Sequence, residues 1–149
     1  MLHVQTIAEL IAVLACGLFT GAAIYINFVE HPARMQCGVE IAVTEFAPSY
    51  RRAAVVQASL AALGLLCSLV AWCSGASLWW LAGGILLGSV IPFTLLVIRA
   101  TNKQLLDPAL DRNSEKASQL LRTWGKLHAV RSVVSLLAFL VFTFLVVFH

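Results

Sequence analysis

The sequence predicts an all-α fold: a transmembrane four-helix bundle with an additional helix at the cytoplasmic interface. Three observations carry this reading. Hydrophobic residues make up 60% of the 149 positions and charged residues 11%, with a mean hydropathy of +0.90; soluble domains carry roughly 25% charged residues. Charge is absent from residues 10–29, 53–98 and 132–148. All ten Lys and Arg residues lie in two segments between these stretches. A soluble fold of this size would not have enough polar residues to cover its surface.

A helix crossing the bilayer needs about 20 mostly apolar residues. The long central stretch therefore holds two spans, broken at Cys73-Ser74-Gly75-Ala76-Ser77. The expected spans are 6–28, 53–72, 78–98 and 127–148, within a single membrane domain. The first run is read as a retained helix rather than a signal peptide. Met1-Leu2-His3 has no basic residue, and Glu30-His31-Pro32 follows in place of a small-residue cleavage site. Cys16, Cys37, Cys67 and Cys73 form no C-x-x-C pair and read as small packing residues rather than disulfide or metal ligands.

The net charge of +3 points to membrane topology rather than to nucleic acid. Arg34, Arg51 and Arg52 lie between the first two spans, and the other seven basic residues run from Arg99 to Arg131. Basic residues near span ends stay cytoplasmic. Both long connections are thus expected in the cytoplasm and both termini outside, in a bacterial cytoplasmic membrane. Glu9 is expected to be solvated, His3 and His149 to be exposed, and Trp79-Trp80 to sit at the outer interface.

This topology gathers polar helix ends at one face: Glu30, His31, Arg51, Arg52, Arg99, Asn102, His128 and Arg131. Ionisable groups at membrane depth usually turn toward the bundle interior or a wet cavity. The plainer reading is anchoring, in which an Arg stem snorkels to headgroups, and Arg52, Arg112 and Lys116 fit that better.

Helical spacing groups further residues. Tyr50, Ala54, Gln57, Ala61, Gly64 and Ser68 form one small or polar stripe. Gly84, Gly88, Pro92, Leu95, Arg99 and Asn102 form a second, and Gly17, Gly21, Tyr25 and Phe28 a third. Small residues let helices approach closely in lipid. Trp124, Leu127, His128, Arg131 and Ser135 share a face of the last helix. Asn113-Ser114-Glu115-Lys116 reads as a cap opening an amphipathic interfacial helix that leads into the fourth span. His31-Pro32 should break or redirect the first helix, with a short surface helix over 33–47, and Pro48-Ser49-Tyr50 should open the second span.

Several segments together resemble a known family: Gly21-Ala22-Ala23-Ile24-Tyr25-Ile26-Asn27, Glu30-His31-Pro32-Ala33-Arg34, Pro48-Ser49-Tyr50-Arg51-Arg52-Ala53, Pro92-Phe93-Thr94 with Thr101-Asn102, and Trp124-Gly125-Lys126-Leu127-His128-Ala129-Val130-Arg131. The set is similar to the anthrone-oxygenase-like family of small four-helix integral membrane proteins. The resemblance implies an oxygenase that turns an aromatic polyketide-like anthrone into a quinone with no organic cofactor. A general base would give an enolate-like anion that reacts with oxygen. His128 or His31 suits the base role, since imidazole titrates near neutral pH. Arg131, Arg51 or Arg99 would stabilise the anion. Tyr25, Asn27, Gln57 and Asn102 would orient ring oxygens, and Trp124 would form a stacking wall.

Two other readings compete. Glu30, His31 and His128, joined by Glu40 or Glu45, offer carboxylate and imidazole ligands for Fe, Cu or Zn, making a metal-binding membrane oxidoreductase, though no Glu-x-x-His pair is present. Alternatively, the G-x-x-x-G faces fit a non-catalytic subunit that stabilises a larger membrane complex, or a homo-oligomer.

Overall fold

A computed structural model describes residues 2–148, so His149 lies outside the described residues. Four helices are long and apolar enough to cross a membrane: α1 (His3–Gln36), α2 (Val39–Cys73), α3 (Leu78–Leu105) and α4 (Glu115–Val147). No strand occurs among the described residues. At 1.5 Å per residue these rods run roughly 40 to 50 Å, longer than the ~30 Å hydrocarbon core. The excess lies at the end holding the α1–α2 and α3–α4 connections, where the basic residues are. We call it the basic end.

The rods form a square in which α1 packs on α2 and α4, and α3 packs on the same two neighbours from the other side. The α2–α3 reversal is set by Gly75, whose φ of +110° suits glycine. Its N–H reaches the Trp72 carbonyl at 3.0 Å while Ala76 N–H reaches Ala71 at 3.0 Å, closing the last turn of α2. At the other end Gly38, with φ +93°, makes the sharp α1–α2 corner.

Three expectations change here. The additional interfacial helix is not a separate element. Ser114 caps α4, its Oγ accepting the Ala117 N–H at 3.1 Å, and the helix then runs unbroken to Val147 because nothing from Glu115 to Leu127 interrupts it. Likewise α2 begins at Val39 and carries Pro48 inside it, replacing the expected surface helix and second start. Finally, α1 continues past Pro32. A π turn over Ile26–Glu30 precedes it, and Pro32 occupies the first turn of the α-helical segment that follows, where a missing N–H is harmless. Pro92 also lies beside a π turn, Thr94–Ile98, after a loosening at Ser89.

The end away from the basic residues is packed dry. Ala12, Cys16, Phe19, Ala61, Ala71, Trp80, Leu87, Ala138 and Phe142 are buried together, and Trp80 stacks on Phe142 at 5.3 Å. Gly83 accommodates the Phe142 ring and Gly84 the Ser68 side chain; a Cβ on either would lie 2.6 Å and 2.5 Å from them. The small-residue stripes of α2 and α3 thus do hold helices close. On α1 the stripe is only half right: Gly17 faces Phe139, while Gly21 meets nothing within 4 Å. The bundle exterior is covered with Leu14, Leu18, Leu66, Ile85, Leu96 and Leu137, all exposed, as lipid contact requires. Glu9 accepts a hydrogen bond from Gln5 at 3.0 Å, His3 is exposed and so is Trp79.

Candidate functional site

At the basic end the interior turns polar. The π turn of α1 faces α4 across Asn27. The Asn27 Nδ2 donates to the Gly125 carbonyl at 3.2 Å, which fixes the amide orientation. Its Oδ1 then accepts from Ser132 Oγ at 2.5 Å and faces His128 Nδ1 at 2.7 Å. Because Oδ1 can only accept, Nδ1 carries the proton and Nε2 the lone pair. His128 is 1% exposed and stacks on Trp124 with ring centroids 4.8 Å apart. Its Nε2 has no hydrogen-bond partner among the described residues.

Arg131, one turn further along α4, donates to Gln57 Oε1 at 2.7 Å and lies over the Phe19 ring at 5.5 Å. Gln57 is 3% exposed, and its Nε2 has no partner; neither does Arg131 Nε. Burying such donors unpaired is costly, so they mark a place for an acceptor, water or ligand.

A third group closes the end of the bundle. Arg34 is buried against Glu30, Glu45 and Ser49: it bonds Glu30, pairs with Glu45 at 2.7 Å, and donates to Ser49 Oγ at 3.3 Å. Ser49 in turn donates to Glu30 at 2.7 Å. The guanidinium also lies over Phe46 and Trp124 at 5.9 and 5.8 Å. His31 packs on Trp124 at 5.3 Å. It can do so because position 125 is glycine; a Cβ there would lie 2.6 Å from His31 Nε2. Tyr50 stacks on Phe46 at 5.5 Å and accepts from Asn102 Nδ2 at 3.1 Å.

These groups surround a small recess, about 20 Å³ in volume, between α1, α2 and α4, with His128, Arg131, Gln57, Tyr50, Arg34 and Trp124 in its wall. That is room for about one water. A trough of about 160 Å³ adjoins it between α2 and α3, sharing Tyr50, Ala54, Gln57 and Arg131.

Of the residues singled out in the sequence, Asn27, His31, Gln57, Trp124, His128 and Arg131 come together. Tyr25 does not: it is 56% exposed on the outside of α1. Arg51 and Arg99 are exposed as well, Arg99 beside an open depression that also holds Asn102 and Lys103. Asn102 is buried but reaches the recess only through Tyr50. For the metal reading, no three His, Cys, Asp or Glu side chains are grouped to hold an ion among the described residues. Glu30 is engaged by Arg34 and Ser49, and each histidine ring packs on Trp124. Phe46 and Ser132 are not singled out in the sequence; Glu45 is offered there only as an alternative metal ligand, and Arg34 only as a basic residue and part of a family motif. The i,i+4 spacings Glu30–Arg34, Phe46–Tyr50 and His128–Ser132 were the available signals.

The family model for anthrone oxygenase matches residues 46–141. The chain belongs to the anthrone oxygenase family. The matched region contains Gln57, Trp124, His128, Arg131 and Ser132, while the α1 part of the site, with Asn27, Glu30, His31 and Arg34, precedes it. No match is found among curated proteins or solved structures.

Proposed function

We propose that this chain is a membrane oxygenase that converts an anthrone-like aromatic into a quinone at the basic end, with His128 as general base. One observation carries the reading. His128 is fixed by Asn27 at Nδ1 and by Trp124 at its face, and its unpartnered Nε2 belongs to a side chain lining the recess. A general base must hold its lone pair within reach of the proton it takes. The methylene of an anthrone is acidic because its carbanion is delocalised onto the ring carbonyl. His128 takes that proton; the carbanion carbon bonds to O2; the hydroperoxide that results loses water to leave a second carbonyl. One CH2 and one O2 become one C=O and one H2O, so dioxygen is the sole oxidant. Gln57 and Arg131 supply hydrogen-bond donors for the enolate oxygen, where a preorganised donor stabilises developing charge.

The test is oxygen uptake by purified protein given anthrone, read against quinone formed. A ratio of one to one is expected, and His128→Phe should lower turnover by about 10²- to 10⁴-fold with helical content retained. Undiminished turnover in the His31→Phe/His128→Phe double variant would sink the assignment. Elemental analysis of protein purified without added metal separates this reading from metal-assisted oxidation. In the same reading the basic end faces the cytoplasm, as the one-sided placement of Lys and Arg supports. Exposed Cys37 and Cys73 lie at opposite ends of α2. An impermeant thiol reagent applied outside the cell should therefore label Cys73 and spare Cys37.

A further inference from the structure

The recess beside His128 has room for about one water, so a larger ligand must extend out of it. The adjoining trough provides the volume. It runs along Ala54 and Ala58 of α2 and Ile91, Thr94 and Leu95 of α3, and opens outward between Ala58 and Leu95, both exposed. These lips lie on the lipid-facing side of helices that are otherwise covered with apolar residues.

Its inner end is the opposite in character, and the groups left unpaired there are donors. Gln57 spends its Oε1 on Arg131, leaving Nε2–H directed elsewhere without an acceptor. Arg131 Nε is unpaired too. Tyr50 accepts from Asn102, and its own O–H donates to nothing among the described residues. Each of these three side chains lines both the recess and the trough. Donors without acceptors at the end of an apolar channel select a ligand with an apolar body and an acceptor oxygen at its tip.

We propose that the α2–α3 trough is a binding site for an aryl ketone that arrives from the bilayer, with its carbonyl received by Gln57, Arg131 and Tyr50. This deepens the function proposed above and rests on it for the identity of the reaction, but not for binding. The more open depression at Arg99, Asn102, Lys103 and Asp107 meets the trough only at Tyr50. The Tyr50–Asn102 hydrogen bond therefore stands between the lipid-side path and the exposed basic end.

Benzophenone, itself a lipid-soluble aryl ketone that cross-links on illumination, tests the site without any turnover. With the full chain in phosphatidylcholine nanodiscs, label should concentrate on peptides bearing Ala54–Ala58 and Ile91–Leu95, and anthraquinone should compete it away. Ala58→Trp and Leu95→Trp, at exposed positions that leave the core intact, should each abolish this labelling. Gln57→Leu should weaken anthraquinone competition by about tenfold, the effect of one lost hydrogen bond. Label spread evenly over all lipid-facing helices, or unchanged by both tryptophans, overturns the proposal. Trough-specific label in a protein that consumes no oxygen with anthrone would leave the site standing and overturn the oxygenase reading instead.

Discussion

The two halves of the bundle solve the same packing problem differently. Away from the basic end, glycine and alanine bring helix backbones together and Trp80, Phe142, Phe19 and Leu87 fill what is left. At the basic end the helices are joined by hydrogen bonds and ion pairs: Asn27 to α4, Gln57 to Arg131, Tyr50 to Asn102, Arg34 to Glu45. In the first half Trp80 Nε1 and Ser77 Oγ are buried without partners among the described residues, but they do not bond each other and form no polar cluster. The second retains a recess and several donors with no acceptor. Under the proposed function, rigidity and chemistry fall at different ends of the same rods, and substitutions should separate them.

The largest separation is expected from His128→Phe, a loss of about 10²- to 10⁴-fold in turnover with an unchanged melting temperature within a few degrees. Gly84→Leu should do the reverse. Its side chain would press on Ser68, whose Cβ lies 2.5 Å from the Cβ position, so thermal unfolding in detergent should report a loss of about 1–3 kcal/mol. Any activity change should track the folded fraction. If that variant kept full stability but lost specific activity, the division between the halves would fail.

Smaller effects sharpen the boundary. Asn27→Ala removes the acceptor that fixes the His128 tautomer, so the ring can present Nδ1 or Nε2 to the recess. We expect turnover to fall about tenfold to a hundredfold with little change in KM, because the base is misdirected rather than the substrate released. Gly125→Ala should displace His31 and cost less than Asn27→Ala, with CD and melting unaltered if His31 swings outward. Arg51→Gln should change neither activity nor stability beyond about 0.5 kcal/mol, since Arg51 is exposed outside the recess. A large loss there would move the site toward the open end.

These contrasts also explain what was readable in the sequence. Uncharged runs and confined basic residues required four apolar helices, and spacing placed Trp124, His128 and Arg131 on one face because α4 is a regular helix. Gln57 was reached in the same way through the stripe with Tyr50 and Ser68 in α2. Where the helix is irregular the inference stopped. Pro32 and Pro48 suggested ends that the chain does not make, because one follows a π turn and the other is carried within a long helix packed on its neighbours. Tyr25 looked inward by extension of the Gly17–Gly21 stripe, yet the buried line of α1 runs through Cys16, Phe19, Ala23 and Ile26. Arg34 was hidden by its position two residues after a proline, in an expected surface helix. Nothing local says that it will meet Glu45, eleven residues on, because that contact exists only once the Gly38 corner folds α2 back along α1.

The π turn of α1 has a consequence of its own. A π turn amounts to one residue added to an α-helix, and each residue advances the helix by about 100°. The wider turn carries five residues through about the angle that four cover in an α-helix, so the extra residue is absorbed within Ile26–Glu30 and everything beyond it keeps its facing. Deleting one residue there should restore a regular helix with His31 and Arg34 still turned toward Trp124 and Glu45. Drawing the same five residues into a regular α-helix would instead carry both away by about 100°. The α1 wall of the recess therefore depends on that turn staying wide, and a change that tightens it would uncouple α1 from the recess while the bundle still assembles.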